Sequence, residues 1–255
     1  MSSNNHVLPL IHRHSNVSDN TLITDRRFTF AVRGESTVLE VKIKEKCDAD
    51  YAMITWPAAP VLSQFIVNNK PLFTGKRVLE LGSGTGLCGI VAALIGAKVI
   101  LTDSHSVRAK SDLLDLNVRL NGIIIALDDT IEDPDPKSLH ICPLTWGRFT
   151  GVFFMIPTVD VIIASDCFYD PEDFEDILMT LAYFMTRNPE TVFYTTYHVR
   201  NSSWNIECAL KRWNLICECL HVDYEDDEPE CDASQGHRSR STIIIYKITR
   251  EQRTD

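Results

Sequence analysis

The chain has eight cysteines but no CxxC pair, and no Cys/His cluster at zinc-site spacing. No metal is therefore expected, and the thiols read as free and reduced. Long hydrophobic runs are also missing. Ile123 to Leu127 and Val159 to Ala164 are far too short to span a bilayer, so no membrane partner is expected. The opening residues, Met1-Ser2-Ser3-Asn4-Asn5-His6, lack the apolar core of a secretory leader. These absences point to the cytoplasm, and to the nucleus if the partner resides there. Positive charge is scarce, with a formal net charge of -10. Such a surface repels phosphate backbones, which argues against direct nucleic-acid binding, and it attracts basic protein segments. No internal repeat and no GxxxxGK[ST] phosphate loop occurs.

What is present fits a single α/β domain of 255 residues with a modest N-terminal extension. Residues 1–27 are polar and aperiodic and read as a flexible arm, leaving 28–255 as the domain. Phe28 to Val32 and Val38 to Ile43 read as two strands of a hairpin. Trp56-Pro57-Ala58-Ala59 opens a helix to about Val67, with Pro57 in its first turn. Strands and helices then alternate. Strands are expected at Val78–Leu81, Lys98–Thr102, Leu139–Leu144, Val159–Ser165 and Thr191–Thr196. Helices are expected at Cys88–Gly96, at Ser106–Leu120 with Leu113, Leu114, Leu116 and Leu120 facing inward, at Pro171–Met185 and at Ser203–Trp213. Two extended segments, Leu215–Val222 and Ser241–Ile248, close the chain with an acidic loop instead of a helix between them. An antiparallel pair follows, ending an otherwise parallel sheet.

The strongest local signal is Gly82-Ser83-Gly84-Thr85-Gly86, set between an expected strand and an expected helix. Asp103 ends the next strand, where a carboxylate can accept both hydroxyls of a ribose. The spacing is GxGxG, not the GxGxxG of pyrophosphate binders. A ligand with a ribose and no phosphates fits best, and S-adenosylmethionine is the common one. A tight turn beside a surface Asp is the plain alternative.

The segment Glu80-Leu81-Gly82-Ser83-Gly84-Thr85-Gly86 resembles the first motif of seven-β-strand methyltransferases. Trp56-Pro57-Ala58, Leu144-Thr145-Trp146-Gly147 and Ala164-Ser165-Asp166-Cys167-Phe168-Tyr169 narrow the resemblance to the family-16 protein methyltransferases, which modify lysine or arginine side chains. Ser165 to Leu178 and Thr196-Tyr197-His198-Val199-Arg200 are similar to a branch associated with histone arginine methylation. The resemblance implies a Rossmann-like seven-stranded sheet, mostly parallel with the last strand antiparallel, plus a short N-terminal β extension. It implies S-adenosylmethionine as cofactor and a basic protein substrate such as a histone tail. A monomer is expected. By the same resemblance Gly82, Ser83 and Gly84 line the methionine side of the cofactor, Asp103 holds its ribose and Trp146 packs near the adenine. Ser165 touches the cofactor from the end of the fourth strand, and Trp56 closes over its methionine end. Core packing is the plainer reading of either tryptophan taken alone.

Asp166 and Tyr169 follow the fourth strand, at the crevice where open α/β sheets bind ligands. They are the candidates for the acceptor side: Asp166 to orient a cationic nitrogen, Tyr169 to wall or hydrogen-bond it. Alternatively Asp166 caps the following helix and Tyr169 packs. The paired-glutamate loop of dedicated arginine methyltransferases is not evident, nor is the Asn-Pro-Pro-aromatic motif of nucleic-acid enzymes. The acidic stretch Asp223 to Asp232 reads as a solvated loop, or as a lure for basic substrate segments.

Overall fold

Val78 and Leu79 are adjacent in sequence and lie in different hydrophobic cores. The same division separates Val99 and Leu101 from Ile100, and Ile163 from Ile162 and Ala164. Successive strand side chains point to opposite faces, so a strand that is apolar at every position must be covered on both sides. That requirement produces a central sheet between two helical layers.

The computed structural model describes residues 12–16, 23–32, 36–46, 53–110, 112–126, 138–199, 206–220 and 243–251. The central sheet contains β4 (Arg77–Glu80), β5 (Lys98–Asp103), β6 (Ile124–Ile125), β7 (Ser138–Pro143), β8 (Val161–Ser165), β9 (Val192–His198), β10 (Leu215–Leu220) and β11 (Ile243–Arg250), in the order β10-β11-β9-β8-β4-β5-β7-β6. All neighbours are parallel except β11, which runs antiparallel to both β9 and β10. The seven expected strands are present, and the two-residue β6 adds an eighth at the edge.

Helices α1 (Ala58–Asn68), α2 (Leu87–Leu94), α3 (His105–Lys110), α4 (Leu113–Leu120), α5 (Gly151–Met155), α6 (Phe174–Arg187) and α7 (Ile206–Arg212) connect the strands. Leu62 and Ile66 of α1, Ile90 and Val91 of α2, and Val118 of α4 fill one core. Phe153 of α5, Leu178 and Leu181 of α6, and Leu210 of α7 fill the other.

A separate antiparallel sheet, β1 (His12–Asn16), β2 (Ile23–Ala31) and β3 (Val38–Lys46), joins the first core. Phe28, Phe30, Val41 and Ile43 are fully or almost fully buried in it. Each such side chain contributes roughly 1.5–3 kcal/mol by leaving water. The flexible-arm expectation for 1–27 is corrected over 12–16 and 23–27, which are strand. Register extends β2–β3 back to Ile23 opposite Lys46. Thr24-Asp25-Arg26-Arg27 looks like loop because Arg26 is polar yet buried, through an ion pair with Glu45.

The single helix expected over Ser106–Leu120 is two, α3 and α4, with Asp112 at the N-cap position of the second. Leu116 and Leu120 are exposed, against the inward facing expected of them. The buried stripe of α4 is Leu113, Leu114, Asn117 and Val118, at i, i+1, i+4 and i+5. Leu116 and Leu120 fall off that stripe. Helix α5 is absent from the sequence expectation, and its Phe153 packs edge-on to Phe149 at 4.6 Å. The stretch Asp128–Lys137, whose acids and two prolines read as a surface loop, and the acidic stretch Asp223–Asp232 lie outside the described residues.

Candidate functional site

The carboxyl ends of β4, β5 and β8 open on one cavity of about 550 Å³. Gly82 and its neighbours follow β4, Asp103 ends β5 and Ser165 ends β8. All nine residues expected at the site line this cavity: Trp56, Gly82, Ser83, Gly84, Asp103, Trp146, Ser165, Asp166 and Tyr169.

Gly82 has φ +64, and a Cβ there would stand 2.9 Å from Cζ2 of Trp146. Only glycine suits both the left-handed backbone and the indole pressed against it. Gly86, at φ +84, takes the N-cap position of α2, so the turn passes directly into the helix. The Gly84 amide donates to Oδ2 of Asp103 at 2.8 Å, and the Ser104 amide donates to Oδ1 at 2.7 Å. Each carboxylate oxygen is thereby aimed and keeps a lone pair for a ligand hydroxyl. Burial holds the Asp103 carboxyl above its usual value, opposed by those two amides and by the charge of Arg108.

Asp166 is buried and has φ +55, a left-handed conformation that Asp tolerates better than most residues. Its amide donates to the Thr196 carbonyl at 2.9 Å, and its Oδ1 accepts from the His198 amide at 3.4 Å. The end of β9 therefore anchors this carboxylate. The capping role that Asp166 might have taken belongs to Asp170, which accepts from the Glu172 amide. Tyr169 is half exposed, with its ring 6.5 Å from that of Trp146. Its phenol is pushed up by partial burial and then by the carboxylates of Asp173, Asp103 and Asp170, so it stays a donor.

Several lining residues carried no expectation from sequence, among them Thr55, Glu80, Thr85 and Cys88. Glu80 had a signal, since it ends β4 directly before the glycine turn. Asp173 and Asp176 line the cavity too; in the sequence they add negative charge near the acceptor side but read first as a solvated helical face. Among the described residues, five lining side chains are carboxylic (Glu80, Asp103, Asp166, Asp173, Asp176), and Arg148 is the one lining Lys or Arg. Such a cavity favours cationic contents. The Cys88 thiol, driven up by burial and then by Glu80, keeps its proton. Among the described residues no three His, Cys, Asp or Glu side chains gather as a metal site would need, and no helix is long and apolar enough to cross a membrane.

Burial pushes the Glu80 carboxyl up to about 8, against hydrogen bonds from Ser83, the Gly89 amide and Cys88. Between pH 5 and 8 the folded protein thus holds a proton that the unfolded chain has released. Stability then falls as pH rises through that window. For the ligand-free protein, Glu80→Gln gains stability relative to the parent by a few kcal/mol between pH 5 and 8. Urea unfolding at both pH values measures it. Parallel pH profiles for the two proteins would mean that Glu80 is already ionised in the fold.

A family-16 methyltransferase model, described as lysine methyltransferase, matches residues 35–206. The chain belongs to this family. It is thus an S-adenosylmethionine-dependent methyltransferase of the family-16 type. Among its relatives is the histone-arginine methyltransferase METTL23 of Xenopus laevis, 35% identical over 215 residues, which are 84% of this chain and 86% of the relative. Another is the protein N-lysine methyltransferase METTL21A of Danio rerio, 37% identical over 176 residues, 69% of this chain and 74% of that one. Among solved structures, a SAM-dependent O-methyltransferase of Thermotoga maritima shares the fold, with a TM-score of 0.52, 17% identity, and coverage of 79% of this chain and 68% of that one. The family-16 assignment rests on the first two kinds of match and the fold on the third. The cavity also accommodates the cofactor's chemistry. It offers an aimed carboxylate for a diol, a glycine-rich turn whose backbone a ligand can approach closely, and an acidic lining for a sulfonium.

Proposed function

We propose that this methyltransferase modifies a basic side chain of a protein, with a histone arginine as the acceptor. The observation that carries this reading is the buried carboxylate of Asp166, in a left-handed turn, which lines the cavity together with Tyr169 and Trp146. In the proposed arrangement Gly82, Ser83 and Gly84 admit the methionine part of the cofactor, and Asp103 accepts from the ribose. Trp146 packs near the adenine, Ser165 touches the cofactor from the end of β8, and Trp56 covers the methionine end. The bound cofactor supplies an electrophilic methyl on a sulfonium.

The protein must then align a nitrogen with that methyl and exclude water. A pocket lined by carboxylates favours the charged form of a bound amine. It therefore holds a lysine as ammonium, which has no lone pair to offer. A guanidinium needs no such prior loss. Asp166 orients it through charge-assisted bonds and takes the proton from the attacking nitrogen as the methyl arrives. Tyr169 donates a hydrogen bond or walls the planar group. The arginine reading draws further support from the METTL23 similarity, which covers more of the chain than the METTL21A similarity does. A histone acceptor entails residence in the nucleus as well as the cytoplasm.

The test is methyl transfer from radiolabelled cofactor onto purified histones and cell extract, followed by mass spectrometry of the product. Methylarginine in a histone is the expected result. Methyllysine in another protein assigns the chain to the lysine branch. Cofactor binding without transfer makes it a noncatalytic adaptor.

A further inference from the structure

Lys44 and Glu45 are neighbours on β3, and each starts a path of buried hydrogen bonds toward the cavity. Glu45 Oε1 accepts from the Arg26 guanidinium at 2.8 Å and from the Thr55 amide at 2.9 Å. The same Arg26 nitrogen donates to the Thr55 carbonyl at 3.2 Å. The ion pair therefore grips both backbone groups of Thr55, a residue in neither helix nor strand. The Thr55 hydroxyl lies 3.0 Å from the hydroxyl of Thr85, within the glycine turn. The Thr85 carbonyl accepts from the Asn117 side-chain amide at 2.9 Å. Asn117 then returns to the start, accepting from the Lys44 amide at 2.8 Å and donating to the Lys44 carbonyl at 3.1 Å. The ring is closed.

Arg26, Glu45, Thr55, Thr85 and Asn117 are all buried, so water cannot readily stand in for a broken link. Thr55 precedes Trp56 on one wall of the cavity and Thr85 belongs to the turn on another. A buried ion pair is a poor source of stability, because apolar residues of similar size often serve as well. What the hydrogen bonds of this ring add is a fixed arrangement, with the Arg26 Nη1 atom shared between Glu45 and Thr55 while the buried Arg26 Nε has no hydrogen-bond partner among the described residues. A wall fixed in advance spares the ligand the cost of ordering it.

We propose that this ring makes Arg26, Glu45, Thr55, Thr85 and Asn117 positioning residues for cofactor binding. It holds the Thr55–Trp56 wall at a set distance from the glycine turn, so the N-terminal hairpin governs cofactor affinity without touching the reacting atoms. The inference rests on the cofactor assignment above.

The test replaces both charges together, Arg26→Met with Glu45→Leu, so that no lone charge is left buried. Calorimetry with S-adenosylmethionine and steady-state kinetics are then compared with the parent. Kd and KM for the cofactor rise about tenfold, while kcat at saturating cofactor stays within about twofold. Thr55→Val, which removes only the hydroxyl contact, raises Kd about threefold and guards against misfolding of the double variant. Val41→Ala, in the core on the same strand but outside the ring, lowers the melting temperature by a few degrees and leaves Kd at the parental value. Two results overturn the proposal: parental Kd in both ring variants, or a Kd increase in Val41→Ala equal to theirs. The parent's own Kd tests the cofactor assignment separately.

Discussion

Asp103→Ala loses cofactor affinity by a hundredfold or more while the protein stays folded. The carboxylate stands at the end of β5, with the amides of Gly84 and Ser104 each on one of its oxygens. In the proposed arrangement its remaining lone pairs accept from the two hydroxyls of the ribose. A hydrogen bond to a charged group contributes about 1.5–3 kcal/mol, so losing two removes about 3 kcal/mol or more. Every 1.4 kcal/mol is a factor of ten in affinity. Asp103→Asn keeps one acceptor oxygen and falls between parent and alanine variant. Because burial raises this carboxyl, cofactor affinity in the parent also weakens as pH falls toward its titration, and the alanine variant lacks that dependence. Calorimetry at two pH values measures both effects. Undiminished binding by the alanine variant would remove the ribose from Asp103.

Asp166→Asn separates binding from transfer. Asparagine has the same shape and accepts the left-handed backbone, so the turn after β8 keeps its form. Its amide cannot take a proton from an attacking nitrogen, and it offers no charge to a guanidinium. Proton acceptors of this kind contribute about 100-fold or more to the rate. The variant therefore binds S-adenosylmethionine like the parent and transfers methyl at about one hundredth of the parental rate or less. Tyr169→Phe, which keeps the wall and loses the hydroxyl, falls by about tenfold. Single-turnover measurements with saturating cofactor distinguish these outcomes from weakened binding. Transfer by Asp166→Asn within a few-fold of the parent would leave that carboxylate a purely structural group.

The parts of the molecule that were legible in its sequence follow simple patterns. Strands buried on both faces are apolar at every position, as in Val78-Leu79 and Val161-Ile162-Ile163, and they stand out. A glycine turn between strand and helix with an acid at the next strand end marks the cavity, and the residues expected there all line it. What stayed hidden is polar and buried at once. Arg26 and Asn117 carry the pattern of surface residues, and their burial depends on partners 19 and 73 positions away. Leu116 and Leu120 misled for the opposite reason, as apolar residues left on the outer side of α4. Asp173 and Asp176 read as solvent-facing charges, because nothing local reveals that they line the cavity. The two residues of β6 are too few to make any pattern.

The reversed direction of β11 has a practical meaning. The parallel strands deliver their final residues to the face that holds the cavity, whereas β11 runs the other way and brings Arg250 to the opposite face. An affinity handle attached beyond that strand leaves from the rear of the enzyme. Tethered there to a sensor surface, the molecule would present its opening outward to a ligand in flow.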